Sequence, residues 1–214
     1  MAALRPTVVV FDLGGVLVDW NPRYLYRQLF DGDDVAMERF LDEVCTPAWN
    51  DEQDRGRPFA DACALLVREH PERRALIEAW PLRYEETMAG PVAGTVEVLA
   101  ELRARKVPLY ALSNWSAETF PHARARFPFL QWFRAIVLSG ELRIAKPDPA
   151  IYQYLLDTYR LRAEDLVFID DAPRNVAAAA ALGIRAVQFT DAAALRRALV
   201  DLGLLEAGAT DSTS

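Results

Sequence analysis

The chain has 214 residues, of which 52% are hydrophobic and 26% charged, with a formal net charge of −7. That length can bury one sizeable core, or one core with a smaller appended unit, and the composition is ordinary for a soluble globular protein. The negative balance argues against nucleic acid or an anionic membrane as the main partner. It leaves phosphorylated small molecules open, because a metal and a few local cations outweigh a global field.

The first apolar run, Val8–Phe11, has only Arg5 ahead of it as a cation. It is too short for a signal peptide or a membrane span, so a cytoplasmic protein is expected. Similar β-branched or aliphatic runs follow at 109–112, 136–138, 166–169 and 186–189. They are continuously apolar rather than alternating, as in strands covered on both faces.

Helical patterns lie between these runs. Residues 94–106 place Val96, Leu99 and Leu102 on one face, and Pro149–Tyr159 does the same with Ile151, Leu155 and Tyr159. Asp148 before Pro149 is a good helix start, and the alanine-rich helix at 174–182 stops at Gly183. Strands alternating with helices predict an α/β fold with a Rossmann-like, doubly wound parallel sheet.

One interval breaks the rhythm. From about Trp20 to Gly90 only helical stretches are predicted, at 24–30, 35–44, 59–69 and 72–85. The interval is far longer than a strand crossover needs. The expected division is an α/β core from 1–19 and 91–207, an all-helical cap from 20–90 over the carboxyl ends of the strands, and a disordered tail at 208–214. Cys45 and Cys63 lack metal-type spacing, and both read as buried reduced thiols.

Four segments fall at the carboxyl ends of predicted strands, where open α/β sheets place their sites. They are Asp12 with Gly14 and Gly15, Ser113-Asn114, Lys146-Pro147-Asp148, and Asp170-Asp171 followed by Asn175. Singly, each is an ordinary turn, cap or loop. An acidic pair closing an apolar strand is rarer, because two carboxylates there repel unless a cation joins them.

In order and spacing the four segments together resemble the haloacid dehalogenase superfamily, over essentially the whole chain. The pattern is most similar to its phosphatases with a helical cap inserted after the first strand. Residues 146–187 look like the sugar-phosphate phosphatases and the N-terminal phosphatase domain of soluble epoxide hydrolase. The resemblance implies that Asp12 attacks phosphorus and forms an aspartyl-phosphate. It also implies that Ser113 and the Asn114 amide hold phosphate oxygens and that Lys146 bridges Asp12 and the phosphate. Mg²⁺ would be held by Asp12, the Gly14 carbonyl and Asp171, with Asp170 as a second ligand or an outer-sphere orienter.

Charge arithmetic favours the metal. A phosphomonoester dianion beside Asp12, Asp170 and Asp171 gathers about five negative charges against one from Lys146. Two like charges 4 Å apart repel by about 4 kcal/mol even at an effective dielectric of 20. Hard oxygen ligands shared with substrate phosphate suit Mg²⁺.

The pattern departs from the family at Gly14, where most of its phosphatases carry a second Asp as general acid and base. Three explanations stand: a phosphatase using a good leaving group, water or a cap residue; a non-catalytic phosphate-binding relative; or a metal-independent 2-haloacid dehalogenase. The Asp170-Asp171 pair weighs against the dehalogenase, and the intact Asp12, Ser113, Lys146 and Asp171 set weighs against a dead scaffold. If the rate depends little on the leaving group, a hidden acid is expected at Asp19 or in 51–55.

The expected activity is thus a Mg²⁺-dependent phosphatase of a small phosphorylated metabolite, a sugar phosphate first. The least helix-like part of the insertion, 46–57, holds Trp49, Asn50, Asp51, Asp54 and Arg55. As a loop it offers an aromatic face and polar groups to a sugar; alternatively, Trp49 packs between helices. Trp115 is a second candidate pocket wall, with core packing as its alternative. Arg23 and Arg27, on an amphipathic helix, read as solvated rather than phosphate-binding. The pattern assigns no oligomeric state.

Overall fold

The computed structural model describes residues 6–207, so the expected disordered tail at 208–214 lies outside the described residues. In chain order, β1 (Val8–Phe11) and β2 (Val18–Trp20) precede the helices α1 (Arg23–Leu29), α2 (Asp34–Glu43), α3 (Pro47–Asp54), α4 (Phe59–Glu69) and α5 (Arg74–Leu82). Then come β3 (Met88–Pro91), α6 (Thr95–Ala104), β4 (Leu109–Ser113), α7 (Phe120–Arg126), β5 (Ala135–Leu138) and α8 (Ser139–Leu142). The chain closes with α9 (Pro149–Tyr159), β6 (Leu166–Asp170), α10 (Pro173–Ala181), β7 (Arg185–Gln188) and α11 (Ala192–Asp201).

The expected doubly wound sheet is present. Its parallel strands run in the order β5-β4-β1-β6-β7, with Val9 opposite both Leu109 and Val167. The chain winds outward from β1 first through β4 and β5, then through β6 and β7. The reversal puts a crevice beyond the carboxyl end of β1, between its neighbours β4 and β6, which is where such sheets bind ligands.

Continuous apolarity of the strands reflects cover on both faces. Val9 and Phe11 point into one core cluster with Leu99, Leu102 and Leu199, and Val8 and Val10 into another with Ile151, Tyr152, Leu155 and Ala179. The first cluster continues into the insertion through Leu25, Tyr26, Phe40, Trp49 and Trp80, so one apolar layer joins the inserted helices to the sheet.

The insertion departs from expectation in two ways. Its ends are strands: β2 and β3 pair antiparallel, with Asp19 opposite Gly90, and carry the chain out of and back into the core. Residues 47–54 are a helix rather than a loop. Thr46 caps it, its hydroxyl accepting the Trp49 amide at 3.0 Å, and Pro47 sits in the first turn. Helicity turns Trp49 inward, 8% exposed, against Phe59 and Trp80 with ring centroids 6.0 and 5.4 Å away. Trp49 is therefore a packing residue and presents no face to a sugar.

Cys45 and Cys63 are free and buried as expected, and burial pushes their thiols up to about 12 and about 11. Such thiols are inert at neutral pH. Among the described residues no helix is long and apolar enough to cross a membrane.

Candidate active site

β1, β4 and β6 end side by side, so Asp12, Ser113 and Asp170 meet at one point although they are far apart in sequence. Asp12 is 8% exposed. Its Oδ1 accepts the Leu13 amide at 2.7 Å and the Ser113 hydroxyl at 3.0 Å, and lies 3.0 Å from Lys146 Nζ. All three contacts hold the carboxylate by Oδ1.

Lys146 is 1% exposed and its ammonium contacts two carboxylates, Asp12 at 3.0 Å and Asp170 Oδ2 at 2.6 Å. Asn114 holds its backbone: Nδ2 donates to the Lys146 carbonyl and Oδ1 accepts the Lys146 amide, each at 2.9 Å. The Asn114 side chain is thus spent on positioning Lys146, a role its place after β4 did not announce.

Asp170 is fully buried and saturated. Oδ1 accepts the Ala172 amide at 2.9 Å and Asn175 Nδ2 at 3.0 Å, while Oδ2 takes Lys146 and the same Asn175 amide at 3.1 Å. The Asn175 carbonyl in turn accepts the Tyr152 hydroxyl at 3.0 Å. Asp171 is exposed and faces the Gly15 turn. A Cβ on Gly15 would lie 2.7 Å from Asp171 Oδ2, and Gly15 has φ +74°. Glycine is favoured there by its conformation, and a Cβ would have to displace the tip of Asp171. No such limit applies to Gly14, where an added Cβ meets nothing within 4 Å.

Oxygens of Asp12, Asp170 and Asp171 lie within 4.8 Å of one another. Burial pushes Asp12 up to about 7, with the Asp170 charge adding to the rise and Lys146 opposing it. Burial, then the Asp170 charge, also raises Asp171. One ammonium does not neutralise this group of carboxylates. A hard cation with oxygen ligands is the natural completion, so the donor set fits Mg²⁺.

One cavity reaches the site through Gly14 and Asn114, and a second shares Trp20 and Asn50 with it. The inner one, about 60 Å³, brings Gly14, Asn114 and Trp115 of the core against Asn50, Asp54 and Tyr84. The outer one, about 200 Å³, has Trp20, Leu41, Cys45, Pro47 and Trp80 as apolar walls, with Arg23, Asp42 and Asp51 at polar points. Trp115 is both a wall and a packing residue, its ring 5.7 Å from Phe120. Asp54 is partly buried and accepts Asn50 Nδ2 at 3.0 Å. Arg55 is exposed at the end of α3 and lines neither cavity.

Arg23 and Arg27 are engaged with Glu38 and Asp34 at 2.6 and 3.0 Å. Asp19 accepts the Tyr24 hydroxyl at 2.9 Å and lines neither cavity. Sequence reasoning missed Trp20 and Tyr84 as cavity walls. Trp20 ends β2 and Tyr84 lies in the turn before β3, two strands that the sequence pattern did not reveal.

The family model for haloacid dehalogenase-like hydrolases matches residues 6–183. The chain is 27% identical over 185 residues to a sesquiterpene phosphatase of Aspergillus oryzae, covering 86% of this chain and 90% of that protein. It is 26% identical over 189 residues to a phosphorylated carbohydrates phosphatase of Thermotoga maritima, covering 84% of this chain and 82% of that one. Among solved structures, a haloacid dehalogenase family enzyme of Bacteroides thetaiotaomicron in a magnesium complex superposes with a TM-score of 0.67 at 21% identity. That match covers 88% of this chain and 95% of the other, and speaks for the fold.

Proposed function

The chain belongs to the haloacid dehalogenase-like hydrolase family, and from that membership we propose that it is a Mg²⁺-dependent phosphatase working through an aspartyl-phosphate on Asp12. The observation that carries the reading is the buried Asp12–Lys146–Asp170 line with Asp171 beside it, at the carboxyl ends of β1 and β6. A lone nucleophile would not need a second and third carboxylate. A phosphate-binding module would not need a carboxylate aimed at the anion.

Asp12, Asp171 and the Gly14 carbonyl would hold Mg²⁺, which supplies neutralisation of charge on the transferring phosphoryl group. Asp170 acts as the orienter, since each of its oxygens already accepts two hydrogen bonds. Oδ2 of Asp12 attacks phosphorus while Oδ1 stays held by the Leu13 amide, the Ser113 hydroxyl turning from Oδ1 to the phosphate. Lys146 and the Ser113 hydroxyl bind phosphate oxygens, and water then cleaves the acyl phosphate.

The insertion from 20–90 serves as the cap, its helix α3 facing Gly14 and Asn114 across the inner cavity. The substrate is a small phosphorylated metabolite. A sugar phosphate is supported by Asn50 and Asp51 at the outer cavity and by the Thermotoga relative's name, although Trp49 no longer contributes. A second reading, an apolar prenyl-like monophosphate, is favoured by the Trp20, Leu41, Cys45 and Trp80 walls and by the Aspergillus relative's name. Buried free thiols suit the cytoplasm expected from the sequence.

Asp12→Asn should abolish Mg²⁺-dependent hydrolysis of an aryl phosphate. Appreciable turnover in that variant would sink the nucleophile. Halide release from a 2-haloacid under exhaustive chelation would transfer the chain to the dehalogenases. A sugar phosphate and prenyl monophosphate panel with Mg²⁺ separates the two substrate classes.

A further inference from the structure

Breaking a phosphate ester expels an alkoxide unless a proton reaches the leaving oxygen. Asp12 cannot supply it while acting as nucleophile, and Lys146 is held between two carboxylates. Gly14 offers no side chain, and the space above it is empty to 4 Å. Gly14 lines the inner cavity, and Asp54 from the insertion lines the same cavity.

We propose that Asp54, on the cap helix α3, gives its proton to the leaving alcohol and then takes one from the attacking water. The inference rests on the phosphatase reading. In the first step the Asp12 Oδ2–P bond forms as the P–O bond to the leaving group breaks, and that oxygen takes the Asp54 proton. In the second, water oxygen bonds to phosphorus, the Asp12–P bond breaks, and the water proton returns to Asp54. Inorganic phosphate leaves with both carboxyl groups restored.

The local structure suits both roles. Asn50 Nδ2 donates to Asp54 Oδ2 at 3.0 Å, and the Ser116 amide also donates to the carboxyl, so it is held both from its own helix and from the segment after β4. α3 itself is tied to the core, because the Ser139 hydroxyl donates to the Asp54 carbonyl. The charged or titratable groups facing Asp54 are Asp51 on its own helix, Asp12 from β1 and Tyr84 from the segment before β3. Burial, followed by the Asp51 charge, pushes Asp54 up to about 7, with Asn50 and the Ser116 amide opposing and Asp12 adding to the rise. An acid of that strength delivers and recovers a proton near neutral pH.

The experiment is a series of aryl and alkyl phosphates spanning leaving-group pKa, assayed with Mg²⁺ on wild type and Asp54→Asn. Wild type should depend weakly on the leaving group. Asp54→Asn should depend steeply, losing about 10²- to 10⁴-fold on alkyl esters and little on dinitrophenyl phosphate. The fall of alkyl-ester kcat/KM above about pH 7 should vanish in the variant. A steep dependence in wild type overturns the assignment without any variant, as does an equal loss on every substrate in Asp54→Asn. If wild type hydrolyses no phosphate ester at all, the phosphatase reading falls and takes this assignment with it. Turnover in wild type with an unchanged slope in the variant removes Asp54 alone.

Discussion

The side chain of Asn114 grips the backbone of Lys146 from both sides, donating to its carbonyl and accepting its amide at 2.9 Å each. This buried lysine is thus located by its main chain before its ammonium meets any carboxylate. Asn114→Ala removes both bonds and leaves two backbone groups in search of partners, at a cost of about 1–3 kcal/mol. Its kcat should fall at least about tenfold while KM moves less, because positioning rather than binding is lost. Steady-state kinetics beside thermal unfolding measure the two effects, and an unchanged kcat would remove the positioning role.

Replacing the lysine tests the charge balance itself. Lys146→Met keeps much of the volume but leaves Asp12 and Asp170 as buried carboxylates without their shared cation. Stranding buried charge in this way costs about 3–5 kcal/mol. Urea unfolding in the presence of chelator reads the loss. A change of less than about 1 kcal/mol would mean that the two carboxylates are already neutral without the lysine.

The strands and most of the site were legible in the sequence because each signal was local. Runs such as Val8–Phe11 are continuously apolar, and Asp12, Ser113 and Asp170 stand at or just beyond ends that such runs mark, whereas Lys146 follows β5 only after the short α8. The clamp of Asn114 on Lys146 was not legible, since it depends on two loops meeting in space. The pairing of β2 with β3 was equally hidden, being two short strands at opposite ends of the insertion. α3 is a different case. Its Thr46-Pro47 start was a readable helix signal, but the polar run from Asn50 to Asp54 lacks an apolar stripe and disguised it as a loop. The loop reading offered Trp49 to a sugar together with Asn50 and Asp54, with packing as its alternative; helical geometry buries Trp49 and leaves Asn50 and Asp54 lining the inner cavity.

The two adjacent glycines should respond differently to a methyl group. Gly15→Ala forces a non-glycine residue into φ +74° and places Cβ 2.7 Å from Asp171 Oδ2. The conformational cost is about 1–2 kcal/mol, and Asp171, a side-chain tip, relieves the clash by turning away from Asp12. Mg²⁺ affinity should therefore fall more than stability does. Gly14→Ala meets nothing within 4 Å and should change stability by less than about 0.5 kcal/mol. Calorimetric Mg²⁺ titration with thermal unfolding in chelator separates the variants, and equal effects at both positions would contradict the geometry.

Removal of the metal should leave a protein that is more stable in mild acid. Asp12 and Asp54 are each pushed up to about 7, chiefly by burial, and Asp171 is raised as well. Between about pH 4, where free carboxyls titrate, and about pH 7, the folded state binds more protons than the unfolded one. Stability therefore falls as pH rises through that window. The contribution is fully present below about pH 4 and is lost as the folded-state carboxyls ionise. Mg²⁺ binds the ionised carboxylates and competes with those protons, so its stabilising effect should grow from pH 5 to pH 8. Thermal unfolding across that range, with chelator and with saturating Mg²⁺, should show the melting temperature falling in the first series and the gap between the two widening. A chelated protein whose melting temperature climbs from pH 5 to pH 7 would mean that these carboxyls are ionised in the fold without help. Asp12, Asp170 and Asp171 would then need no cation to stay ionised together.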